Sequence, residues 1–472
     1  MNPAMTKTNL LPVLLMAAAM TCHSAPGAPN DPYYQSKGSW GQAYDDQWGL
    51  KHIGYSQIDD PGRLPGNRKQ VIVAVIDSGL DYFHRDLGEG AVWINPDEER
   101  NGIDDDENGY IDDLIGWNFV DQDNNPWDWL GHGTHVSGII AAATDNGEGI
   151  AGVNPHVAIM PLRVMNLGGR GYSTRIAKAI YYAVGEGANL INLSLAVEAY
   201  SPLELKAINY AWQKGVTVIV ASGNEAKNAS KFTPAAFEHV ITVGASDTRD
   251  KHSNFSNWGG VVDISAPGND ILSLRAARTD FISIMTESNY ERGAGYVGKH
   301  ADYYRASGTS FAAPFVTGVA SLLLTKYPDA TPDDIKRMLT QSAKDIGVPG
   351  TDQYTGYGLL DAEAALNIDR DFFIETLISG VTVATKNGQP VIQVHGTGNA
   401  DQFKRGSLKF GQGDNPGKWY QAGKDFSQPV TNGIVMQFNA SELRKAKVWT
   451  LRLIVEHKNG KTREARFLLE LG

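Results

Sequence analysis

Five short runs in the middle of this chain are mostly apolar on both faces: Val71–Ile76, Val157–Leu162, Leu190–Leu195, Val216–Ala221 and Val240–Gly244. A strand with one wet face would alternate apolar and polar residues, and these runs do not. Both of their faces must be covered, as in a parallel sheet held between layers of helix. The covering segments lie between the runs. Thr174–Gly187 places Ile176, Ala179, Ile180 and Ala183 on one helical stripe. Ser201–Gly215 does likewise with Leu205, Ile208 and Trp212, and each segment stops at a glycine. Alternating β and α units predict an α/β fold: a doubly wound, mostly parallel open sheet whose ligand crevice lies at the carboxyl ends of the strands. Asp77 and Asn224 each follow the end of such a run.

Past Ala365 the pattern changes to short alternating runs at Val381–Ala384, Pro390–Val394, Ile434–Phe438, Trp449–Val455 and Ala465–Leu471. Asn459-Gly460 between the last two reads as a hairpin turn. These runs predict an all-β sandwich of roughly a hundred residues. With 472 residues there is room for both units. The expected division is a signal peptide at 1–25, an N-terminal arm at 26–66, a catalytic domain at 67–368 and the β-sandwich at 369–472.

Three motifs carry chemistry. Val71–Ile76 delivers Asp77. Gly131-His132-Gly133-Thr134-His135 sets an imidazole in a glycine-rich turn, and Gly308-Thr309-Ser310-Phe311-Ala312-Ala313-Pro314 sets a hydroxyl where an apolar helical pattern opens. Serine is a weak nucleophile and needs a base, which in turn needs an orienting acid. Taken singly, the aspartate could be a structural acceptor and the serine a helix cap. Taken together, in the order Asp, His, Ser, they resemble the subtilase family of serine peptidases. A zinc pair at His132 and His135 lacks a third ligand, and the Gly-x-Ser-x-Gly hydrolase elbow fails at Ala312. In the family reading Ser310 is the nucleophile, His132 the general base and then acid, and Asp77 the group that holds the imidazole tautomer. Pro314 is expected in the first turn of the helix after Ser310.

The resemblance, over about Trp40 to Ala365, implies more. Ala221-Ser222-Gly223-Asn224-Glu225 is similar to the family's oxyanion segment, so the Asn224 amide and the Ser310 backbone N–H are expected to donate to the oxyanion. Peptide substrates are expected to bind as an added strand between Leu167–Gly171, which includes Gly169 and Gly171, and Ser194-Leu195-Ala196. The first specificity pocket would lie between Ser194–Ala196 and Ala221–Gly223, and Phe232, if it points inward, would make it shallow. Between Ala25 and Gln47 there is little room for the larger propeptide of most family members, and a bound cation is expected to offset it.

Asn101–Asp113 suggests that cation. Asp104, Asp106 and Asn108 alternate and Gly109 follows, which matches the first half of an EF-hand loop. Tyr110 would add a carbonyl oxygen and Asp112 a further carboxylate, giving a structural Ca²⁺. Ile115 occupies the twelfth position, so a full EF-hand is not expected. A solvated acidic loop is the simpler alternative.

Lys7, the apolar stretch Leu10–Ala19 and the small residues Ser24 and Ala25 read as an export signal, so the mature protein is expected outside the cytoplasm, secreted or in the periplasm and cell envelope. Cys22, the only cysteine, offers a lipidation site beside a poor lipobox and excludes an internal disulfide. A net charge of −11 argues against a nucleic-acid partner, and no apolar stretch is long enough to span a membrane in the mature chain. The expected protein is a monomeric, calcium-stabilised secreted serine endopeptidase. The alternative is a catalytically silent binding or adhesion protein on the same fold.

Overall fold

The computed structural model describes residues 28–58, 70–279, 295–443 and 446–471. The expected signal peptide and Cys22 lie outside them. The N-terminal arm is folded onto the body. It forms two short helices, α1 (Pro32–Gln35) and α2 (Trp48–His52), and buries Trp48, Leu50 and Ile53. A Cβ on Gly49 would come within 2.7 Å of the Phe315 ring, so glycine lets the arm lie flat on the helix behind it.

The sheet is as the apolar runs require. Its strands are β1 (Ile72–Asp77), β2 (Trp117–Asn118), β3 (Ala158–Arg163), β4 (Leu190–Leu193), β5 (Thr217–Ala221), β6 (Val240–Ser246) and β7 (Ile264–Pro267). They lie in the order β2-β3-β1-β4-β5-β6-β7, with every neighbouring pair parallel. Successive side chains enter different cores. Val73 and Val75 join one with α3 (His132–Ala141) and α6 (Thr309–Lys326). Ala74 and Ile76 join another with α4 (Ser173–Gly185) and α5 (Pro202–Gln213). Helices therefore cover both faces, and the winding reverses at β1, which pairs with β3 on one side and β4 on the other. A crevice opens at such a reversal, outside the strand ends, and Asp77 sits there.

Two expectations shift. β4 stops at Leu193 rather than running on to Leu195. Pro314 is the sixth residue of α6 and so lies past its first turn. Proline has no N–H to give to the carbonyl four residues back, that of Ser310. The Ser194 hydroxyl donates to that carbonyl instead, at 2.8 Å. Ser194 thus leaves the sheet and holds the start of α6.

The remaining strands form three groups, antiparallel except for the parallel pairing of Thr351-Asp352 with Ala465-Arg466. β8 (Ile271–Leu274), β9 (Tyr296–Val297) and β10 (Tyr303–Ala306) make a small sheet at the flank. After α7 (Pro332–Ser342), the two-residue β11 (Thr351–Asp352) leads to the C-terminal sheets. One holds β12 (Ile374–Lys386), β13 (Gln389–Ala400) and β16 (Val430–Asn439). The other holds β14 (Phe403–Gln412), β15 (Tyr420–Gln421), β17 (Val448–His457) and β18 (Thr462–Glu470), with β11 on its edge. Ile392 and Val394 of the first share a core with Leu408, Phe410, Trp449 and Leu451 of the second, which makes the pair a sandwich. Asn459-Gly460 turns the β17–β18 hairpin, with Gly460 at φ 89°. β14 escaped the sequence reading because Gly406 interrupts its pattern; a Cβ there would meet the Phe426 ring at 2.0 Å.

Candidate active site and metal loop

β1 ends in Asp77, and α3 begins at His132. The two side chains meet below the surface, with His132 Nδ1 at 2.8 and 3.0 Å from the two Asp77 carboxylate oxygens. Local backbone makes this approach possible. Gly133 lies so close to β1 that a Cβ would sit 2.2 Å from the Gly79 carbonyl oxygen. Gly131 opens the helix at φ 93°, a left-handed conformation that glycine adopts without strain. Burial by itself discourages charge on the imidazole. The charge and hydrogen bond of Asp77, with the charge of Asp128, outweigh it and hold the His132 pKa above its ordinary value.

Asp128 was not anticipated from sequence. It is fully buried and accepts from the backbone N–H groups of Leu130, Gly131 and Thr134 and from the hydroxyls of Ser78 and Thr134, all at 2.7–2.9 Å. It ties the residue after Asp77 to the first turn of α3. An acid just ahead of a helix start was the available signal.

Ser310 is the second residue of α6, partly exposed, and its hydroxyl donates to the Ser194 carbonyl at 3.0 Å. The next residue, Phe311, sets its ring 5.3 Å from the His132 ring and 4.4 Å from that of His135, centroid to centroid. Asp77 and His132 are thus paired, and Ser310 is the neighbour of the residue whose ring adjoins His132. His135 is structural. Its Nε2 binds the carbonyls of Ile271 and Tyr304, and burial pushes its pKa down to about 3.

Asn224 follows β5 and faces the same point. Its Oδ1 accepts from the Thr309 N–H (2.8 Å) and hydroxyl (2.9 Å), which leaves the amide N–H₂ to donate elsewhere. Thr309, quoted in the sequence only as part of the serine motif, is what fixes that amide. Of the expected substrate segments, Ser194 is buried and bonded to Ser310, while Leu195 and Ala196 are half-buried against the core that holds Phe232. Phe232 is 1% exposed. Ala221, Ser222 and Gly223 are buried, and the Gly223 N–H donates to the Thr309 hydroxyl at 3.2 Å. Leu167–Gly171 is a surface turn closed by the Asn166 side chain, which accepts from the N–H groups of Gly168 and Arg170 at 3.0 Å each. Gly169 is half-exposed and Gly171 exposed, and a groove runs along this turn between Leu167 and Trp129.

In the acidic loop, Asp104 and Asp106 come together with Glu98, one carboxylate oxygen from each lying within 4.8 Å of the others. Glu98 stands outside the twelve-residue pattern, so spacing could not reveal it. One of its oxygens accepts from the Asp105 and Asp106 N–H groups; the other is buried without a hydrogen-bond partner. Asp112 turns away, accepting from the N–H groups of Asn101 and Gly102. The Asn108 amide N–H₂ reaches Asp106, Asp113 and Glu186. The Tyr110 ring packs against Trp117, Phe119 and Tyr182. Burial, and then the charges of Asp106, Asp113 and Asp97, push Glu186 up to about 7 against the Asn108 hydrogen bond.

A doubly wound sheet with its crevice at the end of β1, where a helix-opening histidine meets a strand-end aspartate, is the framework of subtilisin-like enzymes. Residues 68–358 match the subtilase family model, and the chain belongs to that family. It is 35% identical to the thermophilic serine proteinase of Bacillus sp. strain AK1 over 73% of this chain and 70% of that one. It is 33% identical to thermitase of Thermoactinomyces vulgaris over 72% of this chain and 99% of the relative. Among solved structures, a lanthipeptide protease matches with a TM-score of 0.55 and 26% identity, over 73% of this chain and 99% of its own. The chain is a subtilisin-like serine endopeptidase.

Proposed function

We propose that Ser310, His132 and Asp77 cleave peptide bonds through an acyl-enzyme. His132 Nε2 takes the proton from the Ser310 hydroxyl as its oxygen attacks the scissile carbonyl carbon. The oxyanion that forms accepts hydrogen bonds from the Asn224 amide and the Ser310 N–H. The imidazolium then gives its proton to the leaving amine, the C–N bond breaks, and water repeats the sequence to release the acid. The observation that carries this reading is the buried Asp77–His132 pair, which lies against the first turn of the helix that bears Ser310. With Nδ1–H donated to Asp77, the lone pair is on Nε2, the nitrogen a base must use. Hydrogen bonds to the nucleophile are commonly loose before substrate arrives, which accommodates the Ser310 hydroxyl on the Ser194 carbonyl. A fluorophosphonate probe should label the folded protein at Ser310 and leave a Ser310→Ala variant unlabelled. An intact, folded protein that the probe does not touch would remove the assignment.

The substrate is a polypeptide laid as a strand between Leu167–Gly171 and Ser194–Ala196 of a monomeric enzyme. Phe232 is packed in the core, so it does not make the first pocket shallow and sets no limit on the side chain before the cleaved bond. A calcium ion orders the acidic loop. Asp104, Asp106 and Glu98 would hold it, a hard oxygen donor set for a hard cation, and the partnerless oxygen of Glu98 is the fit that supports it. Its contribution is charge neutralisation and loop order. Secretion through residues 1–25 completes the reading; among the described residues no helix is long and apolar enough to cross a membrane.

A further inference from the structure

The expected oxyanion loop has a support that none of the sequence motifs marks out. Asn257 lies between β6 and β7, far from Asn224 in sequence, and is fully buried. Every hydrogen-bonding atom of its side chain is spent on the segment 222–227. Its Oδ1 accepts from the N–H groups of Glu225 (3.0 Å) and Lys227 (2.9 Å). Its Nδ2 donates to the Ser222 carbonyl (3.0 Å) and to Glu225 Oε2 (2.9 Å). That same Glu225 oxygen accepts the Asn224 N–H at 2.8 Å, so one carboxylate oxygen joins the Asn257 amide to the Asn224 backbone. Fit leaves no slack. Gly223 has φ 103°, and a Cβ on it would lie 2.2 Å from Asn257 Nδ2.

We propose that Asn257, acting through Glu225, is a positioning residue that aims the Asn224 amide at the developing oxyanion. This rests on Asn224 being the donor. A main chain of Ser222–Gly223–Asn224 with φ in the left-handed region at Gly223 does not hold that shape by local preference, and its three N–H groups are tied to Val243, Thr309 and Glu225. Thr309 fixes the side chain of Asn224 from one side, and the Asn257–Glu225 pair fixes its backbone from the other. A donor serves the transition state only while it is held in place, so loosening it costs turnover and leaves ground-state binding of the peptide nearly unchanged.

The test is a double-mutant cycle on kcat and KM with a peptide substrate, with thermal melting followed alongside. Asn257→Ala should lower kcat about 10-fold or more and leave KM within about twofold. In an Asn224→Ala background, where nothing remains to be aimed, the same change should cost less than about twofold. Glu225→Ala, at an exposed position, should follow the same pattern and serves if Asn257→Ala folds poorly. Equal losses in both backgrounds, or a loss seen mainly in KM, would overturn the proposal. Fluorophosphonate labelling of the parent protein separates the two failures. If the parent is labelled and the cycle is additive, only the role of Asn257 falls. If the parent is not labelled, the hydrolytic reading falls first.

Discussion

Asp77 does two things to His132: it fixes the ring by its Nδ1 hydrogen bond and it raises the ring's pKa. The proposed base works neutral, so activity should be lost as pH falls through the raised pKa. Asp77→Asn removes the charge, and the acid limb of kcat/KM should move to lower pH. The same change should cut kcat on the order of 10⁴-fold, the size known from trypsin-type triads, because the asparagine favours the wrong tautomer. A pH profile on a peptide substrate checks both; an acid limb that stays in place would mean that another group titrates. At this scale the sequence marks out residues that stand in a motif, such as Asp77, His132, Ser310 and Asn224. It was silent on Asp128, Thr309 and Asn257, whose roles consist of partners distant along the chain.

Among elements, the join between β4 and α6 shows how one irregularity is absorbed by another. Pro314 deprives the Ser310 carbonyl of its partner inside the helix, and Ser194 supplies one from the end of β4. Asn192 Nδ2 donates to the Ser194 hydroxyl at 2.9 Å, and the Thr317 hydroxyl donates back to Asn192 Oδ1 at 2.8 Å, so the strand and the helix share one buried chain of hydrogen bonds. Ser194→Ala should cost about 1–3 kcal/mol by leaving a buried acceptor unpaired. Pro314→Ala added to that variant should return part of the loss, since alanine restores the N–H. Urea unfolding of the two variants decides it: if Pro314→Ala stabilises the parent and the Ser194→Ala variant equally, the compensation is not real. The periodicity of apolar residues announced these elements but could not say where β4 ends, because its end is set by a contact with α6 rather than by β4 itself.

On the scale of the molecule, the acidic loop and the C-terminal sandwich fasten onto the body in different ways. The loop crowds the like charges of Glu98, Asp104 and Asp106 together, and the proposed calcium would stabilise that arrangement by mass action, by about 2.7 kcal/mol at a free concentration a hundred times Kd. Chelation should therefore lower the melting temperature and hasten self-digestion, and a Glu98→Gln variant should respond less; a melting curve indifferent to excess chelator would count against calcium. The sandwich is held by pairing and packing. Thr351 pairs with Ala465, Arg463 donates to Gln341 at 2.7 Å, and Gly260 lies against the Ser379 backbone, where a Cβ would come within 2.4 Å. Sequence alone determined the covered parallel sheet, the sandwich, the order of the three proposed catalytic residues and the position of the acidic loop, because each is written in local periodicity or in a short motif. Tertiary structure alone decided that Glu98 rather than Asp112 joins the carboxylate cluster, that Ser194 holds the start of α6 and that Asn257 braces residues 222–227. Those choices depend on which unsatisfied donor or acceptor lies within about 3 Å once the chain has closed on itself, a distance that spacing along the sequence does not encode.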